Sequence, residues 1–166
     1  MRKEPLVLSI IGRSDSGKTT LIQKILPKLK EKGYKIAVAK HCPRGFDLDV
    51  EGKDSWRFTK AGAEGTFLSS PGKLALIRAK DESQSLKSVL KDYFTDFDIV
   101  LTEGYSDDGG INKIQIARKE IGGDIVISDE IIAYVSDMDI DTDKPIYDPN
   151  DIEGIISFIE KQGGKR

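Results

Sequence analysis

The sequence predicts an α/β protein with a mainly parallel central sheet, helices on both faces and an edge hairpin. Short apolar segments typical of buried strands alternate along the chain with longer amphipathic segments of helical period. The first strand, Leu6–Ile11, leads directly into a loop bounded by Gly12 and Gly17, after which a helical pattern begins. Because two parallel strands need a crossover between them, this alternation favours parallel pairing. In such sheets, ligands bind at the carboxyl ends of the strands.

The other elements are assigned from periodicity, turn residues and caps. A helix over Lys18–Lys32 has apolar residues at helical spacing, and Gly33 is a favourable C-cap. Pro71 and Gly72 form a turn between two strand-like segments, which predicts a hairpin. Lys113–Arg118 alternates polar and apolar side chains, which predicts a half-exposed edge strand. The remaining strands are predicted over Lys35–Lys40, Gly65–Ser70, Lys73–Ala79, Asp98–Thr102 and Ile131–Val135, the second and third of these forming the hairpin. A polar loop is predicted from His41 to Gly52. The remaining helices are predicted over Asp54–Ala63, from a cap at Ser83 or Ser85 to about Phe94, and from a cap at Asn150 or Asp151 to Gln162.

Length and composition favour a single cytoplasmic domain, because 166 residues suffice for one hydrophobic core. No apolar run approaches the roughly 18 residues that cross a membrane. The N-terminus leads at once into the first strand, without room for a signal peptide. The one cysteine, Cys42, cannot form an internal disulfide, which agrees with a reducing compartment. A pI of about 5.5 and basic residues without neighbouring aromatics argue against nucleic acid as a partner.

The charge is distributed unevenly, although the net charge is only −2. Residues 1–80 carry 17 basic and 8 acidic side chains, whereas residues 81–166 carry 9 and 20. One interpretation is a positive surface around the loop at Gly12, which would attract polyanionic ligands. The alternative is that exposed basic and acidic side chains are unevenly distributed along the chain without a role in binding.

The segment between the first strand and the first helix has the pattern of a phosphate-binding loop. It reads Gly12-Arg13-Ser14-Asp15-Ser16-Gly17-Lys18-Thr19 and is followed by Thr20. Glycines let the backbone curl so that consecutive N–H groups converge on one anion. The Lys18 ammonium adds a cation for the β- and γ-phosphates, and the Thr19 hydroxyl can ligate Mg²⁺. The sequence therefore predicts a single P-loop nucleotide-binding domain over residues 1–166.

Four carboxylates are candidates for contacts with the metal or the base of a bound nucleotide. Glu103 ends an apolar strand before a glycine, where such sites place an acid that holds Mg²⁺ directly or through water. Asp47 and Asp49 lie in the loop after the second strand, where either could add a metal ligand or orient a water. Asp137 follows a buried strand, and its carboxylate could accept hydrogen bonds from guanine N1 and N2. The alternative for all four is an ordinary solvated surface acid.

Successive blocks of the chain are similar to those of one known family. Besides the phosphate loop through Thr20, the blocks are Val38-Ala39-Lys40-His41, Phe46-Asp47-Leu48-Asp49, Gly52-Lys53-Asp54-Ser55-Trp56-Arg57, Ala61-Gly62-Ala63 and Thr102-Glu103-Gly104-Tyr105. In this order, from about residue 5 to 160, they resemble the MobB family of molybdopterin-guanine dinucleotide biosynthesis adapter proteins.

The resemblance implies a P-loop fold that binds GTP with Mg²⁺, hydrolyses it slowly at best and forms a homodimer. It implies that Gly12 to Thr20 hold the phosphates, with Lys18 acting on them. It also implies that Asp49 and Glu103 serve the metal or a water and that Asp137 binds guanine. The family is thought to assist the guanylyltransferase that joins GMP to molybdopterin. That enzyme is therefore the expected partner, and molybdopterin itself is a further candidate ligand.

The leading hypothesis is a GTP-binding accessory protein of molybdenum-cofactor biosynthesis, and the alternative is a small-molecule or nucleotide kinase. A kinase would need an acceptor pocket and a mobile basic lid. The seven arginines are scattered rather than grouped in a lid, although Arg13 could act as an arginine finger. A metal-delivering GTPase is disfavoured, because His41 and Cys42 are the only His and Cys and cannot complete a tetrahedral zinc site.

Overall fold

The computed structural model describes residues 4–79 and 84–163. The chain divides into two compact units: the larger extends to His41 and resumes at Val89, and the smaller runs from Cys42 to Ser88. The strands are Leu6–Ile11 (β1), Ile36–Lys40 (β2), Gly65–Ser70 (β3), Lys73–Arg78 (β4), Ile99–Glu103 (β5), Lys113–Ala117 (β6), Ile131–Ser136 (β7) and Ile146–Tyr147 (β8). The helices are Lys18–Glu31 (α1), Asp54–Lys60 (α2), Leu86–Tyr93 (α3) and Ile152–Gly163 (α4).

None of the described helices has the length and apolarity needed to span a bilayer. A single nucleotide-binding domain over residues 1–166 stays a prediction.

A six-stranded sheet forms the centre of the larger unit, in the order β2-β5-β1-β6-β7-β8. Every neighbouring pair in it is parallel, which confirms the predicted α/β fold with a mainly parallel sheet. The predicted hairpin forms a separate antiparallel sheet, β3-β4, in the smaller unit. Because β1 lies between β5 and β6, the loop at its carboxyl end is flanked by the ends of two neighbouring strands.

Helices α1 and α4 share one hydrophobic core with this sheet. The buried stripe of α1 consists of Leu21, Ile22, Ile25 and Leu29, and that of α4 of Ile155, Ile156 and Ile159. Residues of β1 such as Leu8 and Ile10 belong to the same core and are fully buried. Each such side chain contributes about 1.5–3 kcal/mol by leaving water. Because β1 and α1 are both anchored in this core, the loop that joins them is held at both ends.

The predicted half-exposed edge strand at Lys113–Arg118 is wrong, because β6 lies between β1 and β7 and all five of its residues are buried. Its polar side chains have partners elsewhere in the larger unit. The Lys113 ammonium pairs with Glu130, and this hydrogen bond lowers the pKa of the carboxyl. The Gln115 amide accepts a hydrogen bond from the Val126 N–H at 2.9 Å. The alternation therefore reflects buried polar groups with partners and not exposure to water.

Two helix caps agree with the predictions. The Ser85 hydroxyl oxygen accepts a backbone N–H from the first turn of α3 at 3.2 Å, while the alternative cap, Ser83, lies outside the described residues. Asp151 Oδ1 accepts the N–H of Gly154 at 2.9 Å. Asp151 rather than Asn150 therefore caps α4.

Candidate functional site

The loop between β1 and α1 depends on two glycines with positive φ. Gly12 has a φ of +145°, and a Cβ atom there would lie 2.5 Å from the carbonyl oxygen of Ile116 and 2.9 Å from Ser16 Oγ. Gly17, which precedes α1, has a φ of +94°. L side chains rarely adopt these angles. Both positions therefore require glycine, as the loop pattern predicts.

Lys18 folds back over this loop. Its ammonium donates hydrogen bonds to the carbonyl oxygens of Gly12 at 2.9 Å and Arg13 at 2.6 Å. Burial lowers the pKa of Lys18, whereas the carboxylates of Glu103 and Asp15 act in the opposite direction and raise it. Neutral carbonyl oxygens thus hold the ammonium, and charged phosphate oxygens would bind it more strongly.

The carboxyl end of β5 brings a carboxylate to the start of α1. Thr19 Oγ1 donates to Glu103 Oε1 at 2.9 Å, and Lys40 Nζ lies 3.3 Å from the same oxygen. The Glu103 side chain is only 11% exposed. Hydroxyl and carboxylate oxygens are hard ligands that suit Mg²⁺, so these two residues fit such an ion. The structure thus brings Lys18, Thr19 and Glu103 together, while their roles toward metal and phosphate stay predictions.

Three residues beside this carboxylate were not predicted from the sequence. Lys40 lies opposite Glu103 in the β2–β5 register. Ser9 and Thr102 form a buried pair in which Thr102 Oγ1 donates to Ser9 Oγ at 2.8 Å, and Ser9 Oγ donates to the Gly104 carbonyl at 2.7 Å. These bonds hold the turn that directly follows Glu103. Ser9 is the one polar residue in the apolar β1 segment, and this exception was the sequence signal that could have identified the buried pair.

A pocket of about 460 Å³ lies at this arrangement. Of the predicted phosphate-binding and metal residues, it is lined by Ser14, Asp15, Gly17, Lys18, Thr19, Thr20 and Glu103. His41 also lines it, and its ring stacks on Tyr105 with the centroids 4.9 Å apart. Within residues 4–79 and 84–163, no group of three or more His, Cys, Asp or Glu side chains could hold a metal ion.

Asp137 lies directly after β7 and binds two donors from the segment that follows β6. Its Oδ2 accepts from Arg118 Nε at 2.9 Å and its Oδ1 from the Lys119 N–H at 2.8 Å. The Lys119 N–H and then the Arg118 guanidinium lower the pKa of Asp137. Arg118 also lines a small pocket of about 140 Å³, together with Thr20, Lys24 and Asn150. A guanine base would have to share the Asp137 carboxylate with both donors, and its recognition by Asp137 stays a prediction.

Asp49 lies in the smaller unit, shortly before α2. Its Oδ1 accepts hydrogen bonds from the Ser55 hydroxyl at 2.6 Å and from the Val50 N–H at 3.1 Å. These bonds tie the loop to the first turn of the helix. Asp47 is exposed. A metal or water role for either aspartate stays a prediction.

A parallel sheet of this order, with a glycine-bounded loop between β1 and α1 and a carboxylate at the end of β5, defines a P-loop protein. The family model for MobB, described as molybdopterin guanine dinucleotide synthesis protein B, matches residues 7–137. The chain belongs to this family.

Relatives and solved structures agree with this assignment. The chain is 33% identical over 162 residues to the molybdopterin-guanine dinucleotide biosynthesis adapter protein of Haemophilus influenzae, covering 96% of this chain and 90% of that protein. It is 32% identical over 168 residues to the adapter protein of Escherichia coli, covering 95% of each. A crystal structure of molybdopterin-guanine biosynthesis protein B is similar with a TM-score of 0.74 at 34% identity, over 93% of this chain and 97% of that one. The resemblance and the fold predicted from the sequence are confirmed.

Proposed function

We propose that this chain is a cytoplasmic, GTP-binding accessory protein that assists a separate guanylyltransferase in forming molybdopterin guanine dinucleotide. Family membership supports the biosynthetic role, because relatives matched over nearly their whole length are named as adapter proteins of this synthesis. The contact of Thr19 with Glu103, next to the loop that Lys18 covers, is the observation that carries the nucleotide part of the proposal.

Each group at the loop has its own task in holding the nucleotide. Lys18 would exchange the carbonyl oxygens of Gly12 and Arg13 for the β- and γ-phosphate oxygens. Thr19 and Glu103 would hold Mg²⁺ directly or through water, and the ion would neutralise phosphate charge when bound. Because their oxygens already lie 2.9 Å apart, little rearrangement of the two side chains is needed.

The same contacts favour holding GTP over hydrolysing it. The Thr19 hydroxyl and the Lys40 ammonium both contact Oε1 of the Glu103 carboxylate, which commits that oxygen to the metal side of the site and leaves Oε2 as the oxygen that could accept a hydrogen bond from a water. Gln115 has both ends of its amide bound to the segment after β6 and is not available to orient a water. We therefore infer that GTP hydrolysis is slow at most.

Nucleotide titration tests the GTP proposal. We expect GTP to bind more tightly than ATP, and Asp137→Ala to lower this preference by about 10-fold, because a good bidentate contact to a base discriminates by about 1–3 kcal/mol. Asp141→Ala, which removes a nearby exposed carboxylate, should leave the preference within about 2-fold of the wild type. Calorimetry with GTP and ATP, each with and without Mg²⁺, measures these affinities. Equal wild-type affinity for GTP and ATP contradicts the proposal, and an unchanged preference in Asp137→Ala contradicts recognition by that residue.

We also infer a homodimer that forms through the hairpin of the smaller unit. Phe67 lies opposite Leu76 and Ser69 opposite Leu74, so Phe67, Leu74 and Leu76 share one face of the hairpin. These three side chains are 63%, 70% and 48% exposed. Large apolar side chains exposed together mark an interaction surface, and a second copy offers the same face across a twofold axis.

Substitution of Leu74 tests this dimer. Leu74→Asp should weaken dimerisation by about 30-fold or more, because it places a charge on the apolar face at its most exposed side chain. Lys73→Asp, at the neighbouring position on the opposite face, should leave the dimer intact. Light scattering after gel filtration over a concentration series measures both. A wild-type chain that stays monomeric, or a Leu74→Asp variant that dimerises normally, would contradict the inference.

A further inference from the structure

Lys40 brings a second lysine to the cavity of about 460 Å³ at Glu103. It ends β2 and lies opposite Glu103 in the parallel register of β2 and β5. The cavity is thus lined by one lysine from the start of α1, Lys18, and by another from the end of β2. The phosphate-loop pattern accounts for Lys18 but has no place for Lys40. The second ammonium therefore requires an explanation of its own.

The Lys40 ammonium is held by a single carboxylate oxygen. Its Nζ lies 3.3 Å from Glu103 Oε1, and within the described part of the chain this is the only ion pair or hydrogen bond of the side chain. The Lys40 side chain is 55% exposed. An ion pair with so exposed a lysine contributes little stability, because water screens it. The ammonium, on its flexible four-carbon stem, can therefore leave Glu103 for a stronger partner.

The oxygen that holds Lys40 lies on the metal side of the site. Thr19 Oγ1 donates to Glu103 Oε1 at 2.9 Å, so the hydroxyl and the ammonium contact the same oxygen. Lys40 and Mg²⁺ would compete for this oxygen, since the ion binds carboxylate and hydroxyl oxygens. Two cations at such a short distance repel each other. Lys40 therefore has to leave Oε1 when Mg²⁺ is bound there.

The position of β2 determines which phosphate Lys40 can reach. β5 separates β2 from β1, and neighbouring strands lie about 4.7–4.9 Å apart, so Lys40 lies two strand spacings from the strand that leads into the phosphate loop. In such a loop, backbone N–H groups hold the α- and β-phosphates, while the lysine at the start of the helix reaches the β- and γ-phosphates. The γ-phosphate lies farthest from the backbone of the loop. It is therefore the phosphate that is accessible to a cation at the end of β2.

The two lysines act on each other electrostatically. Burial is the main cause that lowers the pKa of Lys18, and the positive charge of Lys40 acts in the same direction. An anion between the two ammonium groups would pair with both and remove their repulsion. The γ-phosphate of GTP is such an anion, whereas GDP has no phosphate beyond the β-position. The arrangement thus favours the triphosphate.

We propose that Lys40 selects the triphosphate form of the nucleotide by moving its ammonium from Glu103 to the γ-phosphate when GTP and Mg²⁺ bind. The inference rests on the proposed function and adds a specificity-determining residue to its nucleotide site. With GTP, Lys40 gains a charge-assisted hydrogen bond to phosphate. With GDP it has no such partner, stays at Glu103 and competes with the metal there. GTP consequently binds more tightly than GDP.

Titration of Lys40→Met with GTP and with GDP, each in the presence of Mg²⁺, tests this inference. Methionine keeps most of the apolar stem and removes the charge. We expect GTP to bind about 10-fold more weakly than to the wild type, because a hydrogen bond to a charged group is lost. The affinity for GDP should not fall by more than about 2-fold, because Lys40 has no phosphate to bind in that complex. Calorimetry measures both affinities.

Lys35→Met is the matched control, since Lys35 is an exposed lysine directly before the opposite end of β2. Its affinities for GTP and GDP should both stay within about 2-fold of the wild type. The midpoint of thermal unfolding should be unchanged in Lys40→Met, because the ion pair that it removes is exposed. Lys40→Gln, a second neutral replacement, gives the same readout if Lys40→Met does not fold.

A ratio of GTP to GDP affinity that is the same in Lys40→Met and the wild type would overturn the inference. If both affinities fall together, Lys40 acts only through Glu103 and the metal, which the two nucleotides share. A wild-type chain that binds GTP and GDP equally would overturn it as well. These outcomes leave the proposed function standing, whereas a wild-type chain that fails to bind GTP overturns the proposed function itself.

Discussion

Replacing Lys18 with alanine is expected to weaken GTP binding by about 100-fold or more. A hydrogen bond to a charged group contributes about 1.5–3 kcal/mol, and the Lys18 ammonium can reach two phosphates. In the free protein this ammonium already lies at the loop, bonded to the carbonyl oxygens of Gly12 and Arg13. Calorimetric titration with GTP and Mg²⁺ measures the loss. The variant should also fail to stimulate guanylyl transfer by the partner enzyme, because the proposed accessory effect requires bound nucleotide.

Lys30→Ala is the matched control, since Lys30 is an exposed lysine in the last turn of the same helix. Its GTP affinity should stay within about 2-fold of the wild type. A pull-down of the guanylyltransferase with both variants separates loss of nucleotide from loss of partner binding. If Lys18→Ala stimulates guanylyl transfer as the wild type does, the nucleotide has no part in the accessory role. If it binds GTP normally, the loop is not the phosphate site.

Replacing Gly12 with alanine is expected to lower the free energy of unfolding by about 2–5 kcal/mol. A residue held at an unfavourable positive φ costs about 1–3 kcal/mol, and overpacking costs a similar amount. Both apply here, because φ is +145° and the new Cβ atom would lie 2.5 Å from the backbone oxygen of Ile116. The midpoint of thermal unfolding should fall by about 5–15 °C. Chemical denaturation followed by circular dichroism measures the change in free energy.

Gly33→Ala separates backbone strain from the steric clash. Gly33 has a φ of +88°, but a Cβ atom there would meet nothing within 4 Å. This variant should therefore show only the cost of the strained backbone, about 1–3 kcal/mol. The additional loss in Gly12→Ala measures the close approach of the loop to the end of β6 together with the greater strain of its φ of +145°. Equal losses in the two variants would contradict that close approach.

Most elements of the fold could be predicted because their signals are local. The apolar stripe of α1 and the turn at Pro71 and Gly72 depend on residues close together in the chain, and the structure has both elements. Glu103 was recognisable because an apolar strand ends there before a glycine. The tertiary contacts with Thr19 and Lys40, however, come from residues 84 and 63 positions away in the sequence.

The errors and omissions have a common physical cause. The alternation in β6 predicts an edge strand, because Lys113 and Gln115 are polar residues of the kind usually exposed to water. In the structure both are buried, and their hydrogen-bond partners are the distant carboxylate of Glu130 and the backbone of the later segment at Asp124 and Val126. The two residues of β8 were missed because so short a strand is defined only by its pairing with β7. The Ser9–Thr102 pair was missed for the same reason, since the two hydroxyls meet only when β1 and β5 align.

The phosphate loop, its lysine and hydroxyl, and the family could all be recognised in the printed chain, because the loop is contiguous and the family blocks follow one another in order. What surrounds the loop depends on the order of the strands. Placing β5 on one side of β1 and β6 on the other brings Glu103 to Thr19 and forms a cavity that Arg13 and Ile116 line. No contiguous segment specifies that order, because it results from packing α1 and α4 and the strands into one core.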